Sequence, residues 1–151
     1  MVSKTVMGLL AAGVLSLGLS SAAMADAKAS IEAREACMKA NGAMMKVMVP
    51  VIKGQTAYDK AANDAAIAAA EAACAGWANW WGEDTKPGGA LKTEAKLEIW
   101  TDPKGFEAAG GAYMAALSAV KASADEASFK AAFPALGKSC QGCHEKFRQA
   151  D

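Results

Sequence analysis

The stretch KSCQGCHEKFR, residues 138–148, holds two of the four cysteines and the single histidine of this 151-residue chain. Cys140 and Cys143 stand three residues apart, within one helical turn, and His144 follows directly. Two thiols so spaced can add across the two vinyl groups of a haem while the adjacent imidazole reaches the iron from the same side, which is the c-type attachment pattern. Two other chemistries use cysteines at this spacing. A redox dithiol of the thioredoxin kind sits beside a βαβ pattern, which this chain lacks. A structural zinc site needs four clustered ligands, and only Cys37 and Cys74 remain to supplement the motif. The expectation is one covalent haem c on the Cys140 and Cys143 thioethers, with His144 as the proximal axial ligand of the iron.

A sole histidine excludes bis-histidine ligation. The other axial position is then empty, or filled by Met, by Lys or by an exogenous group. Which of these holds depends on the elements that carry the candidates. Alanine is abundant throughout, and no run of four to eight residues alternates as a half-buried strand does. Four helical segments are expected instead. The first covers 30–54, with Ser30 or an upstream residue as N-cap, a break at Pro50 and Gly54 as stop; the second covers 58–81, with Asp59 near its start and Gly82 at its end. After a long Gly- and Lys-rich connection over 82–101, anchored by LEIW at 97–100, Asp102 and Pro103 open the third. The fourth covers 126–150 and is kinked or restarted at Pro134. Two short connections and one long one predict an all-α, antiparallel up-down-up-down four-helix bundle.

In such a bundle the start of the first helix and the end of the fourth lie at the same end, so a haem on His144 sits low. Met38 lies about 12 Å along a helix that starts near Ser30, on a level comparable with His144. Met44, Met45 and Met48 sit about 9 to 15 Å higher and read as core, the usual place of a thioether on an apolar face. Met38 is therefore the candidate distal ligand, with packing as its alternative role. Arg34, one turn earlier on the same face, is a candidate for contact with a haem propionate, or else a solvated helix-start arginine. Cys37 and Cys74 are nearly equidistant from the turn at 54–56, so a disulfide across the first two helices is feasible, and two buried thiols are the alternative. Trp77, Trp80, Trp81 and Trp100 read as packing aromatics, although Trp100 could cover a haem edge. Lys138, Lys146 and Arg148 are either a basic rim for a partner or ordinary solvated charges.

The chain opens MVSKTVMGLLAAGVLSLGLSSAAMADA, with Lys4, an apolar run from Val6 to Leu19 and an A-x-A site ending at Ala25. This pattern predicts a signal peptide over 1–25, removed on export, and one domain over 26–151. The apolar run falls short of the ~20 residues of a membrane span. The full chain is formally neutral, and loss of Lys4 leaves one net negative charge, so a nucleic-acid partner is not expected. The expected location is the periplasm, where thiols oxidise.

Taken together, CMKANGAMM, VIKGQTAYD, EIW and CQGCHEKFR make residues 26–151 resemble the class II cytochromes c, the cytochrome c′ family. The resemblance implies a covalent haem on Cys140 and Cys143 with His144 on the iron. It places Met38 where the low-spin cytochrome c-556 branch has its methionine ligand. High-spin members are apolar there and leave the iron open to small gases. Cys37 and Cys74 depart from much of the family. The implied function is a soluble periplasmic one-electron carrier with His/Met iron, serving redox partner proteins as a monomer or homodimer. The alternative is a gas-binding protein for NO or CO with an open or displaceable sixth position. An enzyme is not expected: with His144 proximal, no distal acid–base histidine exists for peroxidase chemistry.

Overall fold

The computed structural model describes residues 17–149. Residues 1–16 of the expected leader lie outside that range. Among the described residues the chain forms helices α1 (Leu17–Ile52), α2 (Lys60–Ala73), the single turn α3 (Glu98–Thr101), α4 (Pro103–Lys121) and α5 (Glu126–Phe147). Two 3₁₀ turns, Trp77–Asn79 and Glu83–Thr85, follow α2. The long helices make the expected antiparallel bundle. α1 packs most extensively on α2 and α4 on α5, while direct contact between the two hairpins is thinner.

Local chemistry explains most of the boundaries. Asp59 caps α2 by accepting from the Ala62 N–H at 3.1 Å, and Asp102 caps α4 by accepting from the Gly105 N–H at 3.0 Å. Asp125 and Ser128 form a reciprocal capping box at the start of α5. Gly54, at φ +67°, supplies the left-handed residue that ends the first hairpin's upstroke.

Four expectations need correction. α1 runs unbroken from Leu17, so Ser30 lies inside the helix and caps nothing. Pro50 does not break α1 and Pro134 does not restart α5; each removes one backbone donor while the remaining helical bonds persist. α2 ends at Ala73, eight residues before Trp81. The cause is Gly76, where a Cβ would lie 2.8 Å from the Trp80 ring: the chain turns there so that indole and backbone can meet. Finally, the long connection has more anchors than LEIW. It is laced to the end of α5 by an Ala95–Arg148 bridge, with Lys96 N donating to Phe147 O at 2.9 Å and Gln149 N to Glu94 O at 2.7 Å.

The dry core occupies one half of the bundle, near the α1–α2 and α4–α5 turns. Met44, Met48, Ile67, Leu117, Phe129 and Leu136 are buried there, each large side chain contributing about 1.5–3 kcal/mol. Met45 packs against this cluster, whereas Met114 is exposed. The other half carries the residues capable of chemistry.

Candidate functional site

The site half is built from the lower turns of α1 and α5 and the aromatic segment after α2. On α5, Cys140 and Cys143 are half-buried free thiols, and burial pushes both thiols' pKa upward. Both thiols are therefore neutral at ordinary pH. His144 is exposed on the last full turn. Its pKa is lowered, first by partial desolvation of the ring and then by Arg148, with Glu94 opposing, which favours the neutral imidazole that can bind iron.

Cys37 and Cys74 are joined in a disulfide, Cα–Cα 4.8 Å, that staples α1 to the end of α2. Neither sulfur is then available to complete a zinc site with Cys140 and Cys143. Among the described residues no group of three or more His, Cys, Asp and Glu is placed to hold a metal ion.

Arg34 is 94 % buried, with relative exposure of 6 %, and its guanidinium lies 4.5 Å from the Trp81 ring centroid. Among the described residues no group accepts from its Nη1 or Nη2, and the neighbouring Trp81 Nε1–H is also buried without an acceptor there. Burial lowers the Arg34 pKa, Glu35 opposing. Three unsatisfied donors on one buried cation and its stacking partner form a site for an anion, since leaving such groups unpaired costs about 1–3 kcal/mol each. Haem brings two carboxylates as well as two vinyl groups and an iron. The donor set present fits it: two neutral thiols, an imidazole, a nearby thioether and a buried cation awaiting an anion.

Two chains of contact bracket the level at which Met38 and His144 stand. Below, Arg34 of α1 rests on Trp81, Trp81 meets Phe106 of α4 at 4.7 Å, and Phe106 meets Phe147 of α5 at 5.2 Å. Above, Asn41 of α1 accepts from Tyr113 Oη of α4 at 2.5 Å. Tyr113 and Cys140 of α5 each pack against the core, and the Tyr113 pKa is pushed up to about 12, first of all by burial. Arg34 to Asn41 on α1 and Cys140 to Phe147 on α5 are equal spans of seven residues, about 10 Å of helix. Met38 lies four residues above Arg34, and His144, on the descending α5, three residues above Phe147, so the two differ in height by about 1.5 Å. Met38 is 38 % exposed.

The remaining expectations fare differently. Trp100 packs on Trp81 and donates Nε1–H to the Trp81 carbonyl at 2.9 Å, so it serves the aromatic cluster. The basic rim is mostly neutralised: Lys146 pairs with Asp102 and Arg148 with Glu94 at 2.8 Å. Trp81, Asn41 and Tyr113 were not singled out as site residues by sequence. Their partners lie on other elements, and no local pattern signals them.

A family model described as Cytochrome C′ matches residues 29–148. The cytochrome c′ of Pararhodospirillum photometricum is 34 % identical over 128 residues, covering 83 % of this chain and all of that protein. The cytochrome c-556 of Agrobacterium tumefaciens (strain II Chrys) is 31 % identical over 120 residues, covering 78 % of this chain and 95 % of its own. Among solved structures, a ferrous variant of Alcaligenes xylosoxidans cytochrome c′ with bound nitric oxide superposes with a TM-score of 0.71 at 26 % identity, covering 83 % of this chain and 97 % of that one.

Proposed function

We propose, from the premise that this chain belongs to the cytochrome c′ family, that it is a one-electron carrier with Cys140 and Cys143 as haem thioethers and His144 and Met38 as axial ligands. The family's cofactor is one covalently attached haem c, which supplies the Fe(III)/Fe(II) exchange. The observation that carries the reading is the common level of Met38 and His144 between the two contact chains. The protein's own residues do the rest. Cys140 and Cys143 would hold the haem on α5, and the neutral imidazole of His144 and the soft sulfur of Met38 would bind its iron. Arg34, with Trp81 beneath it, would donate to a propionate. An iron with both positions filled has no site for a substrate, and a methionine ligand raises its potential.

Export supports the same reading. Residues 1–25 have the pattern of a cleaved leader, the family match begins at residue 29, and no described helix is long and apolar enough to cross a membrane. The proposed location is the periplasm and the proposed partners are redox proteins.

The comparisons favour a second reading. Most of the compared relatives bear the name cytochrome c′, and three related structures, all variants of the Alcaligenes xylosoxidans protein, hold nitric oxide. On this reading Met38 stands off the iron or yields to NO or CO, and the protein binds gas.

Ferric holoprotein separates the two. Low-spin electron paramagnetic resonance with the weak far-red thioether-to-iron band, both lost in Met38→Ala, is the outcome expected of the carrier. A high-spin wild type overturns it in favour of the gas-binding protein.

A further inference from the structure

At the upper edge of the site, contacts tie all four long helices at one level. The Cys37–Cys74 disulfide joins α1 to the end of α2. Asn41, one turn beyond Cys37, donates Nδ2–H to the Cys37 carbonyl at 2.9 Å and toward Cys74 Sγ at 3.3 Å. Its Oδ1 accepts from Tyr113 Oη on α4, and Tyr113, like Cys140 of α5, packs against the edge of the dry core. Every polar atom of the Asn41 side chain is thereby engaged, and the amide joins two hairpins whose other direct contacts are few.

Met38 lies on the single turn between Cys37 and Asn41. Its own side chain is more than a third exposed and flexible, so nothing about the thioether itself sets its depth. A metal ligand must be held to within about 0.5 Å, and that precision comes from the groups that orient it. The turn bearing Met38 has that support at both ends: a covalent bond at Cys37 and a saturated amide at Asn41.

We infer that the Cys37–Cys74 disulfide, Asn41 and Tyr113 form a strut that positions Met38 for the iron, and that the strut sets the fraction of molecules whose sixth position is closed. The inference rests on Met38 as the ligand. Tyr113, Asn41 and the two cysteines are positioning residues; none touches the iron. Tyr113→Phe keeps the ring and removes the hydroxyl, leaving Asn41 Oδ1 without its partner and α1 free to shift against α4 and α5.

The test uses ferric and ferrous holoprotein, reading the high-spin fraction and the CO association constant. The Tyr113→Phe variant should raise both about threefold to tenfold, the range one part-buried hydrogen bond covers. The double variant Cys37→Ser/Cys74→Ser should raise both further. Ile67→Val, in the dry core, is the control: it lowers the urea midpoint but leaves spin state and CO affinity unchanged. A low-spin wild type whose Tyr113→Phe form stays within about 1.5-fold on both readouts, well under the loss expected of such a bond, overturns the strut alone. Equal changes in Tyr113→Phe and Ile67→Val overturn it too, because general loosening then accounts for them. A high-spin wild type overturns the ligand reading, and the strut with it.

Discussion

Replacing Arg34 with methionine removes a cation while keeping a flexible apolar stem over Trp81. Arg34 is almost fully buried, with two donor nitrogens that no group among the described residues satisfies. Two unit charges about 4 Å apart attract by about 4 kcal/mol at the effective dielectric of a protein site, before the desolvation of both is subtracted. A carboxylate beside a buried arginine accordingly titrates about one to three units below its usual value. The depressed group stabilises the folded holoprotein above the unfolded-state pKa, and that stabilisation is lost as pH falls through the folded-state value. Arg34→Met should therefore move the propionate titration up by at least about one unit, worth 1.4 kcal/mol, and flatten the acid limb of the stability curve. Removing a positive charge also disfavours the extra electron, so the reduction potential should fall. The assay is a pH titration of the haem methyl proton shifts in ferric wild type and variant, with potentiometry on the same samples. An unchanged titration with an unchanged potential would refute the assignment of Arg34 to a propionate.

Further expectations concern the scaffold. Met48→Ala should cost about 2–5 kcal/mol in urea unfolding yet leave the haem spectrum as in wild type, since Met48 is fully buried in the dry core; a spectral change would make it a ligand. Gly76→Ala places a methyl 2.8 Å from the Trp80 ring and should cost about 1–3 kcal/mol with a change in near-ultraviolet circular dichroism. Asp102 accepts from Gly105 N–H and pairs with Lys146, its pKa lowered first by the Lys146 bond and then by the Gly105 bond. Its contribution should be present at neutral pH and fade as pH falls through that lowered value; Asp102→Asn should lose the dependence, and identical acid limbs would refute it.

How much of this is legible in the sequence depends on the range over which each cause acts. The attachment motif is contiguous, and the caps at Asp59 and Asp102 act within three residues, so both are readable directly. The Cys37 and Cys74 register follows from the symmetry of a hairpin about its turn. The end of α2 is not readable, because alanine propensity carries the helical pattern through Gly76 and only the packing of Trp80 on that glycine stops it. Pro50 and Pro134 mislead in the opposite sense, since neighbouring helices hold in place a backbone that propensity alone would break. The longest-range features leave no trace at all. Asn41 and Tyr113 are 72 residues apart, and Arg34 meets Trp81 across the first hairpin. The pairing of Lys146 with Asp102 and of Arg148 with Glu94 is hidden for the same reason, since the acidic partners belong to distant segments.

The placement of the dry core in the half away from Arg34 and His144 bears on the order in which the molecule acquires its structure. Contacts around the α1–α2 and α4–α5 turns are local and close small loops, so that half can assemble early. Amide exchange should then be slowest over 44–51, 116–120 and 129–136 and faster over 138–147, where the buried apolar surface is thinner. Maturation would meet a half-built scaffold whose attachment segment still opens on its own, giving the thiols of Cys140 and Cys143 a period of access before the bundle closes over its cofactor.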